Sequence, residues 1–232
     1  MKLKFIYFLT LILVFNFSYS QEAVGNGFDD QIGSGSFMIS TSSSRKNVKV
    51  EGSPYVNDQF LPITITSFEN KVFKGRYNAF NGDFEVMDDA TGKSFVLNRA
   101  MENYEVKFVG TNLTYIILKH IHESGEVTND FFVKLTSSND NYLLKKESVQ
   151  FLGERLATST YDKARPAQYK RSKDTYYLKS DDEIKEVSTN KKDIAKLFPT
   201  HSKTILDYIK SEKIKTNKEE DLIRLFNYIN TL

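Results

Sequence analysis

From about residue 47 to residue 188 the chain alternates apolar and polar side chains with a period of two, a pattern that admits little besides β-sheet. Tyr104, Val106 and Phe108 share one face, with Glu105 and Lys107 on the other. Leu61, Ile63 and Ile65 alternate with Thr64 and Thr66, and Phe131, Val133 and Leu135 with Phe132, Lys134 and Thr136. Strands buried on both faces read as continuous apolar runs, so this alternation predicts antiparallel sheet with one wet face. The 18 Phe and 13 Tyr suit a pleated, half-buried surface.

Turn chemistry divides the pattern. Asn81-Gly82 predicts a type I′ hairpin, because both central residues of that turn need positive φ. Asp89–Gly92, His122–Gly125 and Ser137–Asp140 predict further turns. Roughly ten strands joined by short loops follow, in a meander-like order, and a curved or barrel-like form is compatible with the pattern.

The period changes near residue 190. Asn190 is placed to cap a short helix over Lys191–Phe198, which Pro199 ends, and Thr200 a second carrying Ile205, Tyr208 and Ile209 on one face. Thr216-Asn217-Lys218-Glu219 fits a capping box before a stripe of Leu222, Leu225, Phe226 and Ile229. The expected fold class is α+β, predominantly β: an antiparallel sheet followed by a small C-terminal helical cap over about 190–232.

The first twenty residues read as a cleavable export signal. Lys2 and Lys4 precede an apolar run, Phe5–Phe15, interrupted only by Thr10 and too short for the roughly 20 residues that span a bilayer. Ser18-Tyr19-Ser20 places small residues for cleavage before Gln21. Residues 21–46 read as a flexible lead-in and residues 47–232 as one β-rich domain. The signal carries two Lys and no acid, so 32 basic residues against 30 acidic become 30 against 30 on cleavage. A neutral chain gives no global attraction to nucleic acid, and none is expected as a partner. The sequence has no Cys, which excludes thiol catalysis, disulfides and cysteine-ligated metal. On a bacterial reading of the signal, the Asn112-Leu113-Thr114 sequon is accidental and lies in a strand.

Few residues suggest chemistry. His120-Ile121-His122 puts two imidazoles on one strand face, a geometry that can bind a divalent metal. A third ligand is needed: Glu123 has the wrong parity and His201 is distant in sequence. Ile116 and Leu118 precede the pair on that face, so burial of the stripe competes, and no metal or cofactor is expected. Arg76-Tyr77-Asn78 alternates faces and reads as hairpin packing. The basic and aromatic stretch Tyr161–Lys173 reads as an exposed loop and strand edge. Asp88-Asp89 and Asp181-Asp182-Glu183 fall in turns, where Asp is at home. No Gly-x-Ser-x-Gly elbow, His-Glu-x-x-His helix or phosphate loop is present, and no catalytic residue is assigned.

The block Gly52-Ser53-Pro54-Tyr55-Val56-Asn57-Asp58-Gln59-Phe60-Leu61-Pro62, followed by Gly75–Val86, resembles a family of exported, signal-peptide-bearing, β-rich bacterial proteins of unknown function. The ending Lys218-Glu219-Glu220-Asp221-Leu222-Ile223 with Tyr228-Ile229-Asn230 is similar to theirs. The resemblance implies compartment and architecture and carries over no functional residue. The expectation is therefore an exported, non-catalytic binding or structural component of the cell envelope, located in the periplasm, at the cell surface or outside. The second reading is a carrier of an apolar ligand or lipid in a curved-sheet cavity, and the third a secreted hydrolase. An envelope protein or an apolar ligand is the corresponding partner.

Overall fold

The structure, a computed structural model, describes residues 38–40, 50–68, 71–102, 104–122, 124–136, 141–157, 163–181 and 183–232. The export signal, most of the lead-in and the Ser137–Asp140 turn lie outside these residues. The fold is α+β and predominantly β, as the alternation implies.

The described residues form thirteen short strands: β1 (Met38–Ser40), β2 (Leu61–Ile65), β3 (Val72–Asn78), β4 (Asp83–Met87), β5 (Ser94–Leu97), β6 (Glu105–Phe108), β7 (Thr114–Ile121), β8 (Val127–Lys134), β9 (Asn141–Lys146), β10 (Val149–Leu152), β11 (Gln168–Arg171), β12 (Thr175–Ser180) and β13 (Glu183–Glu186). Eleven form one sheet in the order β1-β5-β4-β3-β2-β6-β7-β8-β9-β12-β13, and β10–β11 form a separate ribbon. Two meanders, β2–β5 and β6–β9, thus abut through the β2–β6 pair, where Ile63 faces Phe108 and Ile65 faces Val106. Among the described residues every pairing between these strands is antiparallel.

The sheet curls into an open half-barrel. Phe84 on β4 and Phe131 on β8 stand five strand steps apart, a separation of about 24 Å in a flat sheet at about 4.8 Å per strand. Their ring centroids are 5.3 Å apart. Tyr77 on β3 meets Tyr115 on β7 at 4.9 Å, three steps away. Met38, Ile63, Val86, Tyr104 and Val106 complete a core of buried side chains on this concave face. Arg99, after β5, spans the gap: its Nε lies 3.4 Å from Asp83 Oδ1, and its carbonyl accepts from Asn129 Nδ2 at 2.8 Å.

The ribbon is fastened beneath the first meander. Val149 N–H donates to the Ala79 carbonyl at 3.0 Å, and Tyr169 N–H to that of Glu51 at 2.8 Å. Gly52 has φ +74°, and a Cβ there would collide with the Tyr169 carbonyl oxygen. Glycine is the residue that meets both conditions.

Past β8 the same face of the sheet is covered by helices: α1 (Lys191–Lys196), α2 (Ser202–Ser211) and α3 (Glu219–Ile229). Leu143 and Leu178, paired across β9 and β12, pack against Ile194, Ile205, Ile209, Leu222, Leu225 and Phe226. Each fully buried side chain of this kind contributes roughly 1.5–3 kcal/mol. Leu135 touches both clusters and joins barrel to cap. Among the described residues no helix is long and apolar enough to cross a membrane.

Several local expectations are corrected. Asn190 caps α1 through Lys192 N–H at 2.9 Å, as expected, but the other two caps differ. Thr200 lies inside a 3-10 turn over Pro199–His201, and His201 precedes α2 without a side-chain cap. The Thr216 hydroxyl donates to the Thr189 carbonyl at 2.6 Å, so Lys218 precedes α3 and no capping box forms. The β3–β4 connection is a four-residue loop, because Asn78 pairs with Asp83 and only Gly82 has positive φ. The Asn78 side chain accepts from Phe80 N–H at 3.1 Å and holds that loop in place of a type I′ turn. Asn112 stands exposed in the bend between β6 and β7 rather than in a strand. The second face is not wet throughout: Ile116, Phe132 and Leu144 are buried there with Tyr142, Tyr177 and Ile184.

Candidate functional site

On that second face, turned away from the aromatic core, the β7–β8 hairpin gathers His120, His122, Thr128 and Asp130. Its turn fixes the register. His122 N–H donates to the Glu126 carbonyl and Gly125 N–H to that of His122, both at 2.8 Å, with Gly125 at φ +83°. His120 then faces Thr128 and Leu118 faces Asp130, so period-two alternation puts all four functional side chains together.

Nitrogen atoms converge on one carboxylate. His120 Nδ1 is 3.0 Å and His122 Nε2 3.4 Å from Asp130 Oδ2, and the Lys146 ammonium from β9 donates to the same oxygen. The other oxygen, Oδ1, accepts the Thr128 hydroxyl at 3.0 Å and lies 3.9 Å from Arg99 Nη1. With its proton given to Asp130, Thr128 Oγ1 is left to accept from His122 Nε2 at 2.7 Å. Burial alone would raise the Asp130 carboxyl, but the hydrogen bonds from Lys146 and His120, with the Lys146 charge and Thr128, outweigh it and hold the group at about 2. Asp130 is a buried, ionised carboxylate.

The two imidazoles lie 4.4 Å apart between centroids, tilted by 52°. His120 is buried, edge-on to Phe132 at 5.5 Å and to Tyr177 at 5.3 Å. The His122 side chain keeps 31% exposure and opens onto a groove of about 550 Å³ between the hairpin and β12–β13. Ser124 in the hairpin turn lines it on the same side as His122, and Tyr177, Ile184 and Glu186 on the side of β12–β13. Two imidazole nitrogens and a carboxylate oxygen within 4.8 Å of one another can hold a metal ion. No other such group of three is present among the described residues.

The expected pair is thus supplied with the third donor that neighbouring positions could not give. Asp130 comes from the facing strand; Glu123 lies outside the described residues, and His201 sits in the turn between α1 and α2. Thr128 and Asp130 escape a reading along one strand because only the hairpin register brings them in, and Lys146 and Tyr177 because they arrive through the β8–β9 and β9–β12 pairings. That register was readable from the Ser124-Gly125 turn.

Other candidate residues take structural roles. Arg76 is stacked 3.6 Å from the Tyr55 ring centroid and 4.2 Å from that of Phe60, and its Nε and Nη2 donate to Glu85 Oε2 at 3.0 and 2.8 Å. Tyr77 is in the core and Asn78 in the loop, the hairpin packing expected of that tripeptide. Of Tyr161–Lys173, Tyr161 and Asp162 lie outside the described residues. Tyr169 packs on Phe80 and Phe151 at 5.2 and 5.3 Å, and Arg171 pairs with Glu147 and Asp174, each at 2.9 Å. Asp88 binds its own turn through Ala90 N–H and the Thr91 hydroxyl at 2.9 and 2.6 Å. Asp181 also stands in a turn, at φ +47°.

Compared with protein-family models, curated proteins and solved structures, the chain matches none.

Proposed function

We propose that this chain is an exported, non-catalytic protein of the bacterial cell envelope that works by binding at the outer face of its sheet. The observation that carries the reading is the division of the two faces. The concave face is filled by the protein's own rings, with Phe84, Tyr104, Tyr115 and Phe131 almost wholly buried. Polar groups converge instead on the opposite face, at a groove open to solvent. A carrier of an apolar ligand needs a hollow on the concave side, and this packing favours the surface-binding reading over it. The apolar run Phe5–Phe15 behind Lys2 and Lys4 supports export.

Expression from the native start in a Gram-negative host, followed by cell fractionation and intact-mass measurement, tests the compartment. The expected product is outside the cytoplasm and begins at Gln21. A full-length product retained in the cytosol overturns the reading.

A further inference from the structure

We propose that His120, His122 and Asp130 form a binding site for one divalent transition-metal ion of the zinc class, with a fourth coordination position open to the groove. The inference rests on the reading of this face as the binding surface and names its ligand.

Spacing comes first. Two donors at about 2.1 Å from a tetrahedral ion stand about 3.4 Å apart. The observed separations from Asp130 Oδ2, 3.0 Å to His120 Nδ1 and 3.4 Å to His122 Nε2, are already edges of that size. The three donors come from two hydrogen-bonded strands with the register locked by a tight turn, so the site is set up by the backbone rather than assembled by a loop.

Donor chemistry comes second. Neutral imidazole with carboxylate suits zinc and its neighbours, whereas magnesium and calcium prefer all-oxygen sites. Each ring ligates through its facing nitrogen free of hydrogen, the far ring nitrogen carrying the remaining hydrogen.

Lys146 then acquires a definite part. Its ammonium already occupies the Asp130 oxygen that faces both rings, where a cation is most stabilised. A metal ion must displace it, and Lys146, a quarter exposed at its side chain, can swing toward solvent. In the metal-free protein Lys146 is a built-in counter-ion; on binding, one cation exchanges for another. The open fourth position, on the groove side with Tyr177, Ser124 and Glu186, leaves room for water or for a donor from a partner.

The test is titration of the purified protein, prepared without a polyhistidine tag, with Zn2+ by calorimetry and with Co2+ by visible absorption. One equivalent should bind, and Co2+ should give the intense d–d bands of a four- or five-coordinate site. His122→Gln, at the half-exposed ligand, should weaken binding by at least about tenfold while leaving the far-ultraviolet spectrum unchanged, since removal of an outer-shell partner alone costs about 10–100-fold. Lys146→Met removes the competing cation and should tighten binding by about tenfold, the scale of one exposed-to-buried charge interaction. Binding that is absent, substoichiometric or unaffected by His122→Gln overturns the site. Unchanged or weaker affinity in Lys146→Met overturns the exchange. If His122→Gln does not fold, Asp130→Asn supplies the same comparison, and failure of both to lose the metal also overturns the site. The compartment is measured on cell fractions, so the metal site and the export reading fail independently.

Discussion

The Tyr115 hydroxyl donates to the Glu147 carboxylate, and this bond ties the concave face of the half-barrel to the start of the β10–β11 ribbon. Glu147 is buried and takes Arg171 Nη2 at 2.9 Å on its other oxygen, with Lys145 Nζ 3.8 Å away. Lys145 also reaches Glu219 at 3.0 Å, and Glu219 accepts the Tyr176 hydroxyl at 3.1 Å. Core, ribbon and α3 thus share one polar chain.

Removing Glu147 should therefore cost more than removing a surface acid. Glu147→Ala strands the buried Tyr115 hydroxyl and leaves Arg171, itself 39% exposed, with Asp174 alone, a loss of about 1–3 kcal/mol dominated by the unsatisfied hydroxyl. Tyr115→Phe removes one donor and should cost about 1–3 kcal/mol. Urea denaturation measures both, and a parent-like midpoint in Glu147→Ala would contradict the account.

Alkaline pH should unfold the protein through its buried tyrosines. The hydroxyls of Tyr77, Tyr104 and Tyr115 are pushed above the ordinary value of 10.0 by burial first, and Tyr115 further by Glu147. Unfolded tyrosines ionise near that value while the folded ones keep their protons. Stability is thus intact below about pH 10 and falls as pH rises above it. Urea midpoints measured at increasing pH should drop, with phenolate absorbance appearing together with unfolding. A midpoint independent of pH through this range would refute the prediction.

The helical cap should be inseparable from the sheet. Phe226 is almost wholly buried and meets Phe198 edge-on at 6.2 Å. Phe226→Ala should cost on the order of 3–5 kcal/mol, and deleting residues 217–232 should abolish a cooperative transition, because Leu143 and Leu178 lose their cover. A truncated protein that melts at the parent temperature would show the cap to be an appendage.

Gly52→Ala should loosen the ribbon specifically. Positive φ and the Tyr169 carbonyl both exclude a methyl group, and the cost should exceed about 1 kcal/mol. Hydrogen exchange should quicken at Val149–Leu152 and Gln168–Arg171 before it does elsewhere. Uniform acceleration across the sheet would argue against local fastening.

The strands were legible because their signal is local: Tyr104-Glu105-Val106-Lys107-Phe108 declares its two faces without reference to any partner. The stripe on α3 was legible for the same reason. The curl was not, because contact between Phe84 and Phe131 depends on how five pairings add their twist. The caps misread at Thr200 and Thr216 show the same limit, for a hydroxyl that could bond within its helix finds Thr189 across the chain instead. Asp130 stood between. It is ten residues from His120, and only counting back from the Gly125 turn places it opposite Leu118.

The sheet remains open at β13, the four residues Glu183-Ile184-Lys185-Glu186. Its outer edge, without a strand partner among the described residues, offers a row of backbone groups to any chain that approaches. Antiparallel addition of the same strand from a second molecule, in centred register, would set Glu183 opposite Glu186 at both ends. Like charges directly opposed across strands are destabilising. Self-pairing of that border in this register is thereby opposed by two carboxylates on the outermost strand.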